Sequence, residues 1–237
     1  MALGLGCAAR NPEPMTSKTG QSDPVILDAH IEPQPVARTP KPIAVTKRSM
    51  LEYPLDHVSR KVAMTGRVQC PPVELVEYAG DVVPYHKKVR VYIEFVDHLR
   101  RFETIVRDTA IEVYGRAPTS IRHYGAYYCR RIRAWPYLIS EHGLGNALDV
   151  GDFEFARLRR DSSESPPAKW RGKFSVSMSK HWNATGAGAV HRDFLRLLAR
   201  RVIDSDKLFR VILGPADPKH RGHFHFDMAP FRIVNVF

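Results

Sequence analysis

Ser140-Glu141-His142-Gly143-Leu144-Gly145-Asn146-Ala147-Leu148-Asp149 runs straight into Val150-Gly151-Asp152-Phe153-Glu154-Phe155. Glycines at 143 and 145 let the backbone of the first part fold tightly. The second part, from Ala147 to Phe155, alternates in character over part of its length and reads as a strand with a glycine irregularity. A tight turn feeding a strand lets His142 and Asp149 converge on one point, although seven residues separate them. Imidazole nitrogen and carboxylate oxygen are both common metal ligands. Alone the pair says little, because a histidine and an aspartate so spaced are usually unrelated.

A second segment changes the weight of the first. In His220-Arg221-Gly222-His223-Phe224-His225-Phe226-Asp227, residues two apart on a strand share a face. His223, His225 and Asp227 therefore project together, while Phe224 and Phe226 turn into the core. One histidine and one carboxylate from the first segment, with one histidine from the second, supply three protein ligands. A tetrahedral ion so held keeps its fourth position for water, as a catalytic rather than a structural site does.

Around these segments the pattern is that of a mixed domain. Val89, Tyr92, Val96, Leu99, Phe102 and Val106 recur at three- and four-residue steps and predict a long amphipathic helix to about Tyr114, closed by Gly115 and Pro118. Ser120 to Cys129 reads as extended chain, Phe174 to Met178 as a strand, and His191 to about Ile203 as a helix with Phe194, Leu195, Leu198 and Val202 on one face. Phe209 to Leu213, ended by Gly214-Pro215, and His223 to Met228 are further strands. Helices and strands without regular alternation imply an α+β fold, a mostly antiparallel sheet flanked by helices.

The chain of 237 residues suits one domain plus a tail. Residues 1–60 form the tail, rich in Pro, Ser, Thr and Lys, as in Pro33-Gln-Pro-Val-Ala-Arg-Thr-Pro-Lys-Pro42. Such composition cannot bury enough apolar surface to offset the entropy of ordering, and predicts a linker or a disordered end. Residues 61–237 form the domain. Met1-Ala-Leu-Gly-Leu-Gly-Cys7-Ala-Ala resembles the end of an export signal or an imperfect lipoprotein cleavage site at Cys7, without a charged start.

No apolar run reaches eighteen residues, so no transmembrane segment is expected. A net charge of +11 favours anionic surroundings, whether nucleic acid, an acidic wall polymer or a membrane surface. The basic residues fall in scattered pairs, such as Arg159–Arg160 and Arg200–Arg201, without a nucleic-acid motif, and no nucleic-acid partner is expected. Cys7, Cys70 and Cys129 form no CxxC pair. Cys70 and Cys129 are read either as a disulfide of an exported protein or as two buried thiols.

Ser140, His142, Gly145, Ala147 and Asp149 reproduce the SxHxxGxAxD signature of zinc D-Ala-D-Ala carboxypeptidases, dipeptidases and murein endopeptidases, and His223 and His225 their closing HxH; the superfamily includes the zinc-bearing hedgehog domain. The chain more closely resembles the bacterial extensin-like C-terminal domain family. That resemblance rests on Tyr128-Cys129-Arg130, Ser140-Glu141-His142, Asn146 to Val150, Phe194-Leu195-Arg196, Leu213-Gly214-Pro215 and His220 to Asp227, with Cys70-Pro71 at an early Cys-Pro position. It spans roughly Val68 to Met228. It departs at Arg200 to Lys207, which lacks the family's cysteine and leaves the disulfide arrangement open, and around Trp182.

The resemblance implies a hedgehog/D-Ala-D-Ala-peptidase-like fold, with Zn2+ held by His142, Asp149 and His225. It implies a peptidase acting on peptidoglycan stem peptides or crosslinks, D,D- or L,D-specific, in the periplasm or cell envelope. In that reading His223 moves protons, Arg130 takes a substrate carboxylate or the developing oxyanion in competition with Arg131, and Ser140 binds near the metal or the substrate. Asp227 and Asp152 are either orienting partners of the ligands or solvent-facing carboxylates, and His220 caps a turn. The alternative is a non-catalytic zinc fold that binds wall peptides or a protein partner. The bond cleaved and the oligomeric state stay open.

Overall fold

Ten strands and three α-helices succeed one another in the computed structural model, which describes residues 53–205 and 207–237. In chain order they are β1 (Leu75–Tyr78), β2 (Val89–Tyr92), α1 (Phe95–Tyr114), β3 (Ser120–Gly125), β4 (Arg131–Ile132), β5 (Trp135–Ile139), β6 (Ala147–Phe155), β7 (Phe174–Ser177), α2 (Met178–His181), α3 (Ala189–Asp204), β8 (Val211–Leu213), β9 (Phe224–Asp227) and β10 (Ile233–Asn235). The fold is α+β and its pairings are antiparallel apart from β10 on β8 and one single-residue bridge. The readings of Met1–Ala9 and Pro33–Pro42 lie outside the described residues. No helix among the described residues is long and apolar enough to cross a membrane.

β6 is the axis of the main sheet, whose order is β10-β8-β9-β6-β3. Its first half pairs with β9, from Ala147↔Asp227 to Val150↔Phe224, and its second half with β7, from Asp152↔Ser177 to Phe155↔Phe174. β3 covers the opposite edge. Between the two halves the ladder slips: Arg122 pairs with Asp152 and His123 with Val150, so Gly151 has no β3 partner. This bulge re-aims the strand at its middle. The ring of Tyr124 lies over the bare glycine, where an added Cβ would come within 2.4 Å of it.

Leu148, Val150, Phe153 and Phe155 of β6 and Phe224 and Phe226 of β9 are buried on one face. Phe226 stacks on Phe209 with ring centroids 4.8 Å apart and meets Phe102 of α1 at 5.0 Å. α1 presents Phe95, Leu99, Phe102, Val106 and Ala110 at helical spacing, and α3 packs beside it through Phe194, Leu195, Leu198 and Val202. Gly115 ends α1 in the left-handed region, φ 72°, returning its N–H to the Ile111 carbonyl.

The helix expected from Val89 starts only at Phe95. Val89 and Val91 are buried while Arg90 is exposed, which is the period of a strand, and β2 pairs with β1 through Val76↔Val91. Tyr92 and Val96 fit either period, so the turn at Ile93-Glu94 hid inside an apparently continuous helix. The strand expected at Phe174–Met178 ends at Ser177, where α2 begins. Ahead of Val68, Tyr53 and Leu55 are already in the core.

Candidate metal centre

Ser140 starts the turn that places His142. Its hydroxyl accepts the His142 N–H and caps a short 3-10 helix, Glu141–Leu144. Gly145 closes the turn at φ 62°, a conformation that penalises any side chain. Space forbids one as well, because a Cβ there would stand 2.8 Å from the Tyr92 nitrogen, whose N–H donates to the Gly145 carbonyl.

The turn is held from two sides. Outside, the Arg60 guanidinium forks onto Glu141 at 2.9 and 3.2 Å, Asn146 donates to the same carboxylate at 2.7 Å, and Tyr53 donates to Asn146. Beneath it, Cys70 and Cys129 are joined as a disulfide, Cα atoms 5.8 Å apart. A Cβ on Gly143 would lie 2.6 Å from the Cys70 sulfur, so glycine gives the disulfide its seat. The chain around Cys129 then grips His142: Tyr128 N–H donates to its carbonyl, and its Nδ1–H donates to the Ala126 carbonyl at 2.6 Å.

Since a carbonyl can only accept, Nδ1 of His142 carries a proton, and in the neutral ring Nε2 keeps its lone pair for a metal. That Nε2 is buried, 3.3 Å from Asp149 Oδ2, and has no hydrogen-bond partner. Asp149 and His225 are register partners across β6 and β9, with Oδ1 and Nδ1 2.8 Å apart. The opposite nitrogen of His225 contacts Asp227 Oδ2 at 2.8 Å, and Asp227 Oδ1 accepts the Ala229 N–H. His142, Asp149 and His225 thus offer three ligand atoms within 4.8 Å of one another. The orphaned Nε2 and a carboxylate between two imidazoles fit a divalent ion, with Ala126 and Asp227 orienting the two rings.

Without an ion, His225 faces a carboxylate at each ring nitrogen. Burial pushes its pKa down, but hydrogen bonds to Asp149 and Asp227 outweigh that and hold it at about 10. Burial pushes the Asp149 carboxyl up, yet His142 and His225 keep it well below its ordinary value. His223, Nε2 3.8 Å from Asp149 Oδ1, is lowered by burial and by the other histidines.

The remaining candidates take varied places. Arg131 is spent on the carbonyls of Ala63 and Thr65, whereas the exposed Arg130 side chain has no ion-pair partner among the described residues. Asp227 touches a ligand; Asp152 does not, and its Oδ1 is buried without a partner. His220 does more than cap a turn: its ring sits 4.9 Å from His223 and 5.3 Å from His225, with Nδ1 on Asp217 at 2.7 Å. Tyr124, 58% exposed, sets its ring edge-on to His223 at 5.7 Å. Asp217 and the Ala126 carbonyl were not anticipated; an Asp three residues before a His was the one available signal for the former.

Residues 52–235 match the family model described as Extensin-like protein C-terminus. No curated protein and no solved structure matches the chain. With the match covering most of the sequence and enclosing all three convergent side chains, the chain belongs to the extensin-like protein C-terminus family.

Proposed function

We propose that this domain is a zinc-dependent peptidase acting on peptidoglycan stem peptides or crosslinks, on a fold related to that of the D-Ala-D-Ala peptidases and hedgehog. The observation that carries the reading is the buried, partnerless Nε2 of His142 facing Asp149 and His225, with His223 beside them. Two nitrogens and one carboxylate oxygen are a catalytic zinc donor set. A zinc ion bound there supplies a Lewis acid and a water acidified toward a pKa of about 7.

The chain's own groups do the rest. His223, its pKa lowered, is neutral at neutral pH and takes a proton at Nε2, then returns it to the leaving amine. His220, fixed by Asp217, packs against His223 and limits its swing. The Arg130 guanidinium offers a fork for a substrate carboxylate. The likeness of Ser140–Asp149 and His223–His225 to the zinc peptidase motifs supports D-amino-acid peptides as substrate, and the disulfide supports an oxidising compartment such as the periplasm.

Incubation of the zinc-loaded full chain with purified muropeptides, followed by mass analysis, tests the reading. Shortened stem peptides or resolved crosslinks are expected, and His223→Ala retains about one zinc per chain while losing on the order of a hundredfold or more in rate. Intact muropeptides with stoichiometric zinc would leave a binding domain instead.

A further inference from the structure

Five cations border two hollows that meet at Asn183 on the α2–α3 side of the domain. Arg192, Arg196 and Arg200 line the first, of about 490 Å³. Lys180 and Arg221 line the second, of about 510 Å³. Against them stands one carboxylate, Asp193, which pairs with Arg192. Arg196, Arg200, Lys180 and Arg221 have no carboxylate partner among the described residues.

The arrangement is built rather than incidental. Four-residue steps along α3 put Arg192, Arg196 and Arg200 on one face, about 6 Å apart in rise. Arg196 lies over the ring of Trp182 at 5.4 Å and donates to the Trp182 carbonyl and to Asn183. Arg200 lies over Phe237 at 5.8 Å. Trp182 is itself buried and packs edge-on against Phe224, beneath the strand that carries His225. Two guanidiniums are thus fixed in direction on an aromatic floor, so they lose little freedom on binding an anion.

The second hollow borders the loop that enters β9. Arg221 lines it two residues before His223, and Ser179 in its wall meets Gly222, to whose added Cβ it would lie 3.6 Å away. A concave, mostly cationic groove whose last cation, Arg221, lies two residues from His223 suits an extended chain better than a flat membrane.

We propose that this groove binds the remote part of the substrate, an extended chain with carboxylates spaced about one helical turn apart, which Arg196, Arg200 and Arg221 read in succession. The proposal rests on the peptide reading above for the identity of the anions as carboxylates. Binding energy gathered here holds the scissile bond at the metal while contributing nothing to the chemistry.

Fluorescence anisotropy of the full chain with fluorescein-labelled hexaglutamate tests it without relying on hydrolysis, with and without chelator. Binding that weakens with salt is expected. Arg196→Gln with Arg200→Gln lowers affinity about tenfold, as does Arg200→Gln with Arg221→Gln, a pair free of the Trp182 contact. Arg157→Gln with Arg160→Gln removes the same charge from an exposed segment and changes affinity less than twofold. Equal loss in all three pairs, or no binding of hexaglutamate, overturns the proposal. So does a thymidine decanucleotide or an anionic phosphatidylglycerol vesicle losing affinity through the groove variants while hexaglutamate does not. Retained hexaglutamate binding with intact muropeptides would fault the peptidase reading alone.

Discussion

If the proposed function holds, Asp149→Asn keeps the chain folded and weakens zinc by about a hundredfold to a thousandfold, taking muropeptide hydrolysis down with it. Asparagine preserves the size of the side chain between His142 and His225 but removes its charge. Protein zinc sites of four ligands bind with about 10–16 kcal/mol, so one charged ligand is worth roughly a quarter of that. The pH dependence is a sharper signature. In the metal-free protein His225, at about 10, is protonated at neutral pH between Asp149 and Asp227. Zinc bound as proposed would displace that proton, so affinity is expected to rise about tenfold per pH unit toward pH 10, with close to one proton released per ion at pH 7. For folding of the metal-free chain the sign is opposite. A raised histidine pKa stabilises below the unfolded value of about 6.5, and that contribution fades as pH rises through about 10. Calorimetry in buffers of different ionisation heat reads the proton count, and Asp149→Asn lowers it. A wild-type affinity flat between pH 6 and 8 would contradict this ionisation scheme.

Replacing both Cys70 and Cys129 by serine lowers stability by about 4 kcal/mol, the chain-entropy value for a loop of this length. The two cysteines are 59 residues apart, and the loop they close contains β1, β2, α1 and β3. For a domain of this size the melting temperature falls by roughly 10 °C. The site loosens too, because the disulfide supports the Gly143 turn and the chain that holds His142 through Ala126 and Tyr128. Zinc affinity therefore drops about tenfold, the range for losing groups that orient a ligand. Urea unfolding and a zinc-competition titration measure the two effects. A double serine variant within about 1 kcal/mol of wild type, binding zinc normally, would show that the disulfide supports neither the fold nor the site.

Where the sequence has a period, the fold could be read from it. β6 and β9 alternate, so Asp149, His225 and Asp227 fell on one face and Phe224 and Phe226 on the other, as they do in the structure. The apolar stripe of α3 was equally plain. The start of α1 was not, because Val89 and Tyr92 satisfy a helical step while Val89 and Val91 satisfy a strand. Groups without a pattern were invisible. The Ala126 carbonyl is backbone, Asp217 sits in a loop, and Tyr53 reaches Asn146 across 93 positions. The bulge at Gly151 could be located as an irregularity, but its use as the seat of Tyr124 depends on β3 lying alongside.

Zinc-edge X-ray absorption on the purified, zinc-loaded chain tests the centre most directly. Two imidazole nitrogens and light oxygen donors at about 2.0–2.2 Å in a four-coordinate shell are expected, with one nitrogen lost in His225→Ala. A sulfur shell at about 2.3 Å, or a spectrum unchanged by His225→Ala, would contradict this coordination.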